Sequence, residues 1–105
     1  MPNICTMGYK ISKKAFEDID NIWAYTMLTW SFQQADRYYN LIFNEIERIA
    51  AYPLLGKDYS HIRENYRCAV IKSHLIFYRY EEQKNFIEII RVLHQSMDVE
   101  EKLKN

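Results

Sequence analysis

The sequence predicts an α+β domain of order β-α-α-β-β-β, a small antiparallel sheet with an N-terminal α-helical hairpin packed on one face. Three observations predict it. The runs 67–72, 74–80 and 86–93 are rich in Val, Ile, Phe and Tyr, side chains that fit a pleated, half-buried surface. The gaps between them, around Ser73 and over 81–85, are too short for a parallel crossover, so the runs form an antiparallel meander. Two stretches of helical periodicity precede them, and a small sheet needs such cover on one face.

The elements follow in order. Residues 1–7 read as an N-terminal tail, and Met7 is an alternative start to Met1. Tyr9-Lys10-Ile11 alternates apolar and polar, which suits a short strand at the sheet edge. Ser12 is an N-cap for a helix over 13–29, where Phe16, Ile19, Ile22, Trp23, Thr26 and Met27 recur at three and four. Ser31 opens a second helix, with Gln34 three residues on as in a capping box. Ala35, Tyr38, Tyr39, Ile42, Ile46 and Ile49 mark its apolar face, and it stops near Ala51, ahead of Pro53. A link of one or two residues around Trp30 makes the helices antiparallel neighbours. Residues 52–57 form a turn and 58–65 a polar loop. The charged tail 99–105 is either a last helical turn or frayed.

At 105 residues the chain is a single domain, 1–105. Hydrophobic residues at 49% and charged residues at 27% make it globular rather than disordered. Formal net charge is zero, so whole-molecule attraction to nucleic acid is not available. Locally, Lys57, Arg63, Arg67, Lys72 and Arg79 outnumber Asp58 and Glu64, a weak basic stripe on the sheet half. Cys5 and Cys68 belong to no CxxC or Cys/His cluster, and no His/Asp/Glu spacing suits a metal, so neither metal nor cofactor is expected. Residues 1–10 lack an apolar signal core, and no run approaches the length of a membrane span. The expectation is a reduced, cytoplasmic setting without membrane contact.

The stretches Trp30-Ser31-Phe32-Gln33-Gln34-Ala35, Tyr52-Pro53-Leu54-Leu55-Gly56-Lys57, Tyr66-Arg67, residues 73–79 and Ile90-Arg91-Val92-Leu93-His94-Gln95-Ser96-Met97-Asp98 resemble the ParE toxins of bacterial toxin–antitoxin pairs. The resemblance covers roughly 8–98 and is most specific in the last stretch. It implies the RelE/ParE-like fold and a toxin, encoded on plasmid or chromosome, that traps DNA gyrase with broken DNA and blocks replication. It implies neutralisation by a ParD-like antitoxin, which alone touches operator DNA. The alternatives are a RelE-like, ribosome-dependent mRNA endonuclease and an inactive, antitoxin-binding family member.

Candidate site residues follow. Arg91 lies among apolar neighbours on its strand, as an anion-binding arginine on the open sheet face or as a rim charge with a snorkelling stem. Arg79 shows the same pattern, and Arg67 extends the cluster if the meander registers accordingly. His94 is the candidate for acid–base chemistry, or a structural residue at the strand end. Gln95 follows it, and no tyrosine comes after Tyr80, which departs from the tyrosine-bearing RelE-like ribonucleases. Arg91 and His94 are catalytic only if the chain is a ribonuclease; otherwise no catalytic residue is expected. Gyrase-binding candidates are Arg67, Arg79, Arg91, His94, Met97 and Asp98. Antitoxin-binding candidates are Glu17, Asp18, Trp23, Met27, Trp30, Tyr38 and Tyr39, the aromatics being either core or anchors for a helix and extended segment. His61 and His74 read as loop and turn residues.

Overall fold

The computed structural model describes residues 8–104, so the 1–7 tail, with Cys5 and Met7, lies outside the described residues, as does Asn105. The chain runs β1 (Tyr9–Ile11), α1 (Lys13–Thr29), α2 (Phe32–Ala51), a 3-10 turn (Pro53–Leu55), β2 (Lys57–Asp58), β3 (Tyr66–Ile71), β4 (His74–Glu81), β5 (Phe86–His94) and α3 (Val99–Lys104). The strands lie in the order β1-β5-β4-β3-β2. The meander β3-β4-β5 is antiparallel, as the short gaps require, with β3–β4 in continuous register from Tyr66↔Arg79 to Ile71↔His74.

Two departures concern the sheet. It is mixed rather than wholly antiparallel: β1 lies parallel to β5, Tyr9 opposite Ile87 and Ile11 opposite Ile89. The two helices between β1 and the meander give a crossover long enough for parallel pairing. The polar loop also begins with a fifth strand, since Lys57 and Asp58 pair with Cys68 and Arg67.

Both predicted N-caps form. Ser12 Oγ accepts from the Ala15 N–H at 3.0 Å and donates to the Ile90 carbonyl at 3.0 Å, pinning the start of α1 to β5. Ser31 Oγ accepts from the Gln34 N–H at 3.0 Å. The Gln34 side chain accepts from Arg37 instead of reaching back, so the capping box closes on one side only. The 52–57 turn docks on Tyr78, a fully buried residue whose hydroxyl donates to the Pro53 carbonyl at 2.7 Å and accepts from the Gly56 N–H at 2.9 Å. A Cβ on Gly56 would stand 2.3 Å from that hydroxyl, which is why glycine occupies the position.

The helices cover one sheet face, where Ile19 of α1 and Ile42, Ile46 and Ile49 of α2 bury against Ile76, Ile87 and Ile89. Phe16, assigned to this face by periodicity, is 47% exposed, and its neighbour Ala15 is buried instead. A small residue there lets α1 approach the sheet closely. The opposite face is not open along its length. Tyr66, Cys68, Phe77 and Leu93 form a second cluster with Leu103 of α3, and Tyr59 and Ile62 of the loop pack against it. The C-terminal tail is thus a helix with a buried anchor, begun by Asp98, whose carboxylate accepts from the Glu101 N–H at 3.3 Å. Burial of Cys68 pushes its thiol up to about 11.

Candidate functional site

A groove of about 580 Å³ opens where the helical hairpin overhangs the end of the sheet. Its walls are Ile22, Tyr25 and Thr26 of α1, Tyr38 of α2, and Trp30 between the helices. Its floor comes from Lys72 and Ser73 in the β3–β4 turn, His74 at the start of β4, and Val92, His94 and Met97 at the end of β5. The hairpin carries apolar side chains that the sheet leaves uncovered. Tyr25, Leu28, Trp30 and Phe32 at or near its tip are 60–80% exposed.

Two histidines organise the floor. His74 and His94 are cross-strand partners, ring centroids 5.2 Å apart and edge to face. Tyr38 reaches down from α2, donates to the Ile71 carbonyl at 3.1 Å and shares a 2.6 Å hydrogen bond with His74 Nδ1. Burial, and then the neighbouring His94, holds the His74 pKa below the usual histidine value. Burial likewise raises Tyr38, partly offset by the Ser73 hydroxyl. His94 Nδ1 turns to Ser96, 2.7 Å from its Oγ and 3.1 Å from its backbone N–H. An apolar trough floored by an imidazole that disfavours charge suits an apolar protein segment.

The candidate arginines do not form a cluster. Side chains alternate along a strand, and Arg67 lies opposite Tyr78, one residue out of phase with Arg79. Arg67 therefore points to the helical side, where it donates to the Gly56 carbonyl at 2.7 Å. Arg79 is on the other side, bonded to Glu81 and Glu88 at 3.0 Å each. Arg91 forms a bidentate pair with Asp18, Nε to Oδ2 at 2.7 Å and Nη2 to Oδ1 at 3.0 Å. The same carboxylate accepts from the Val92 N–H at 2.9 Å, closing the edge of β5 beyond the point where β1 stops.

The bulge that shifts register between Phe77 and Tyr78 sets this up. It leaves Ile90 unpaired and turns Arg91 toward α1 at the sheet edge. The sequence assigns Asp18 to an antitoxin surface and Arg91 to a gyrase surface; the fold makes them partners.

Five of the candidates meet in the groove: Asp18, Trp30, Tyr38, His94 and Met97. They come from both candidate sets. Trp23 lies on the far side of the hairpin, edge to face with Phe32 at 5.4 Å and donating to Asp36 at 3.0 Å. Tyr39 packs on Phe43 at 4.8 Å. Met27 is half-buried and Glu17 exposed, and Asp98 serves α3. Nothing local in the sequence singles out the groove residues His74 and Tyr25. Only the pairing of His74 with His94 would have singled out the former, and strand register is not written locally.

Among the described residues, no group of three His, Cys, Asp or Glu side chains could hold a metal ion, and no helix is long and apolar enough to cross a membrane.

Comparison with known proteins places these features in a family. A model of the family described as ParE toxin of type II toxin–antitoxin system, parDE, matches residues 9–99. The toxin ParE1 of Caulobacter vibrioides is 40% identical over 90 residues, 86% of this chain and 91% of that protein. The toxin ParE1 of Mycobacterium tuberculosis is 37% identical over 95 residues, 90% of this chain and 96% of that protein. A solved structure of a chromosomal ParDE system from P. aeruginosa superposes with a TM-score of 0.71 at 16% identity, covering 86% of this chain and 97% of its own, a likeness of fold.

Proposed function

The chain belongs to the ParE toxins of type II toxin–antitoxin systems, and from that premise we propose that it poisons DNA gyrase and is silenced by a ParD-like antitoxin laid in the groove. It traps gyrase with cleaved DNA and blocks replication, without catalysis of its own. The observation that carries the reading is that one trough holds candidates for both partners. His94 and Met97 stand on its floor beside Trp30 and Tyr38 on its wall. An antitoxin helix or extended segment there covers the surface the target needs, so binding and silencing are one event. Operator DNA is reached only through the antitoxin. The structural neighbour from P. aeruginosa belongs to a ParDE system, which supports a ParD-like partner.

The state of the arginines supports a poison over a ribonuclease. Cleaving RNA requires a positioned base and cations free to meet the charge that develops on phosphate. Here Arg67 is engaged by backbone carbonyls and Arg79 by two carboxylates, while Asp18 partly neutralises Arg91 and leaves only its Nη1 open.

The test is a supercoiling assay with purified protein, gyrase, ATP and relaxed plasmid. Loss of supercoiling with accumulation of cleaved plasmid, reversed by the antitoxin, is expected. Unchanged supercoiling together with mRNA cleavage on translating ribosomes would replace this reading with the ribonuclease. Inactivity in both assays with antitoxin still bound would mark an inactive member.

A further inference from the structure

The sheet face away from the groove carries a second, chemically different cavity. It measures about 200 Å³ and is bounded by the start of α1, the segment leading into β3, the β5 bulge and α3. Among the described residues four that line it are cationic, Lys14, Arg63, Arg91 and Lys102, and no carboxylate does. Its floor is apolar, formed by Tyr66, Ile90 and Leu103, and Tyr66 and Leu103 are 9% and 3% exposed. An apolar floor lowers the local dielectric and strengthens attraction for an anion.

The cations are available. Among the described residues Lys14, Arg63 and Lys102 form no ion pair. Arg63 Nη2 donates to the Lys104 carbonyl at 3.3 Å, which ties it to α3 without cancelling its charge. Asp18 holds Arg91 by Nε and Nη2 and leaves Nη1 without a hydrogen bond among the described residues. That carboxylate aims the guanidinium as well as partly neutralising it. Even with Asp18 set against Arg91, three positive charges remain on the described residues that line the cavity.

The patch is local. The cavity on the other flank of Tyr66 is lined by Asp58, Glu64 and Glu82 around Arg67. The chain as a whole is neutral, so the feature is a site and not a general basic coat.

We propose that Lys14, Arg63, Arg91 and Lys102 form a phosphate site that takes a backbone phosphate of DNA. The cavity is smaller than the roughly 300 Å³ at which small-molecule pockets begin, so it fits a phosphate group and not an engulfed nucleotide. A single phosphate held at the surface matches a strand running past the protein. The assignment to DNA rests on the gyrase reading, in which a toxin trapped on cleaved gyrase complexes meets DNA; the anion site itself rests only on these side chains. It supplies register rather than sequence preference, since phosphate contacts carry no base information.

The test uses the whole chain without gyrase, so its failure leaves the gyrase reading intact. A ¹⁵N-labelled sample is titrated with a short DNA duplex at low ionic strength, and separately with inorganic phosphate. Amide shifts confined to the neighbourhoods of residues 12–14, 63–66, 90–91 and 102–103 are expected, and they should collapse as salt is added. The double variant Lys14→Glu with Lys102→Glu, both exposed and outside the core, should weaken duplex binding at least about tenfold and flatten the salt dependence by about one phosphate contact or more. It should keep its fold and its antitoxin affinity.

Shifts that map to the helical hairpin, or no duplex response at low salt, would overturn the site. A response to inorganic phosphate at the same concentration that duplex does not exceed would overturn its assignment to DNA.

Discussion

On one face of the sheet, two long helices press Ile19, Ile42, Ile46 and Ile49 onto Ile76, Ile87 and Ile89. On the other, a six-residue helix and the loop around Tyr59 and Ile62 cover Tyr66, Cys68, Phe77 and Leu93. The first cover is continuous and regular, and supplies the rigid platform. The second ends part way and leaves charged side chains at its margins. The two faces also end in different cavities: an apolar trough where the helices overrun the sheet, and a cationic hollow where α3 meets the start of α1. A protein segment suits the first and an anion the second.

The largest expected effect tests the inequality of the two covers. Ile46→Ala removes a side chain with no exposed surface from between α2 and the sheet and should cost ~3–4 kcal/mol. Leu103→Ala should cost about 2 kcal/mol or less, because α3 is short and frays more easily than it leaves a sealed cavity. Denaturant unfolding of both variants decides the matter. Equal losses would mean that the two faces are equally essential to the fold.

A smaller effect is expected at the border between the faces. Asp18→Ala strips partners from the Arg91 guanidinium and the Val92 N–H, at side chains only 13% and 17% exposed for Asp18 and Arg91. A loss of about 2–3 kcal/mol should follow. Asp18→Asn, which still offers an acceptor to Val92, should lose about half as much. If both variants unfold like the parent, the clamp belongs to recognition and not to stability.

The smallest effect is one of pH, at the trough. His74 has its pKa lowered from 6.5 by burial and then by His94, so between the two values the unfolded chain binds more protons than the folded one. Its contribution is present above about pH 6.5 and is lost as pH falls through the folded value. His74→Gln should flatten the stability profile over that window, as read from unfolding midpoints across the pH range. An unchanged slope would place the acid sensitivity elsewhere.

Much of the architecture was legible because it is local. Ser12 and Ser31 cap helices from their own first turns, Pro53 ends one, and period-two runs with short gaps make a meander. What failed to be legible was pairwise and distant. Phe16 looks as apolar as Ile19, and only the docking of α1 through Ala15 leaves it exposed. Arg67, Arg79 and Arg91 look alike in sequence, and register with the bulge at Ile90 sends them to three surroundings. The loop and the tail read as polar because Tyr59, Ile62 and Leu103 are isolated apolar residues with no period to reveal that they share a cluster.

By itself the sequence determined the helices, the meander and its antiparallel sense, since caps, breakers, periodicity and gap length act over a few residues. It also determined the family, through the resemblance in its last strand and the residues after it. Only the tertiary structure decided that β1 runs parallel to β5, that Asp18 is spent on Arg91, that His74 joins His94 under Tyr38, and that Lys14 and Lys102 share one hollow. Those pairs are separated by between 20 and 88 positions in the chain. Contacts so far apart depend on register and on how the covers dock, which no short stretch of sequence encodes.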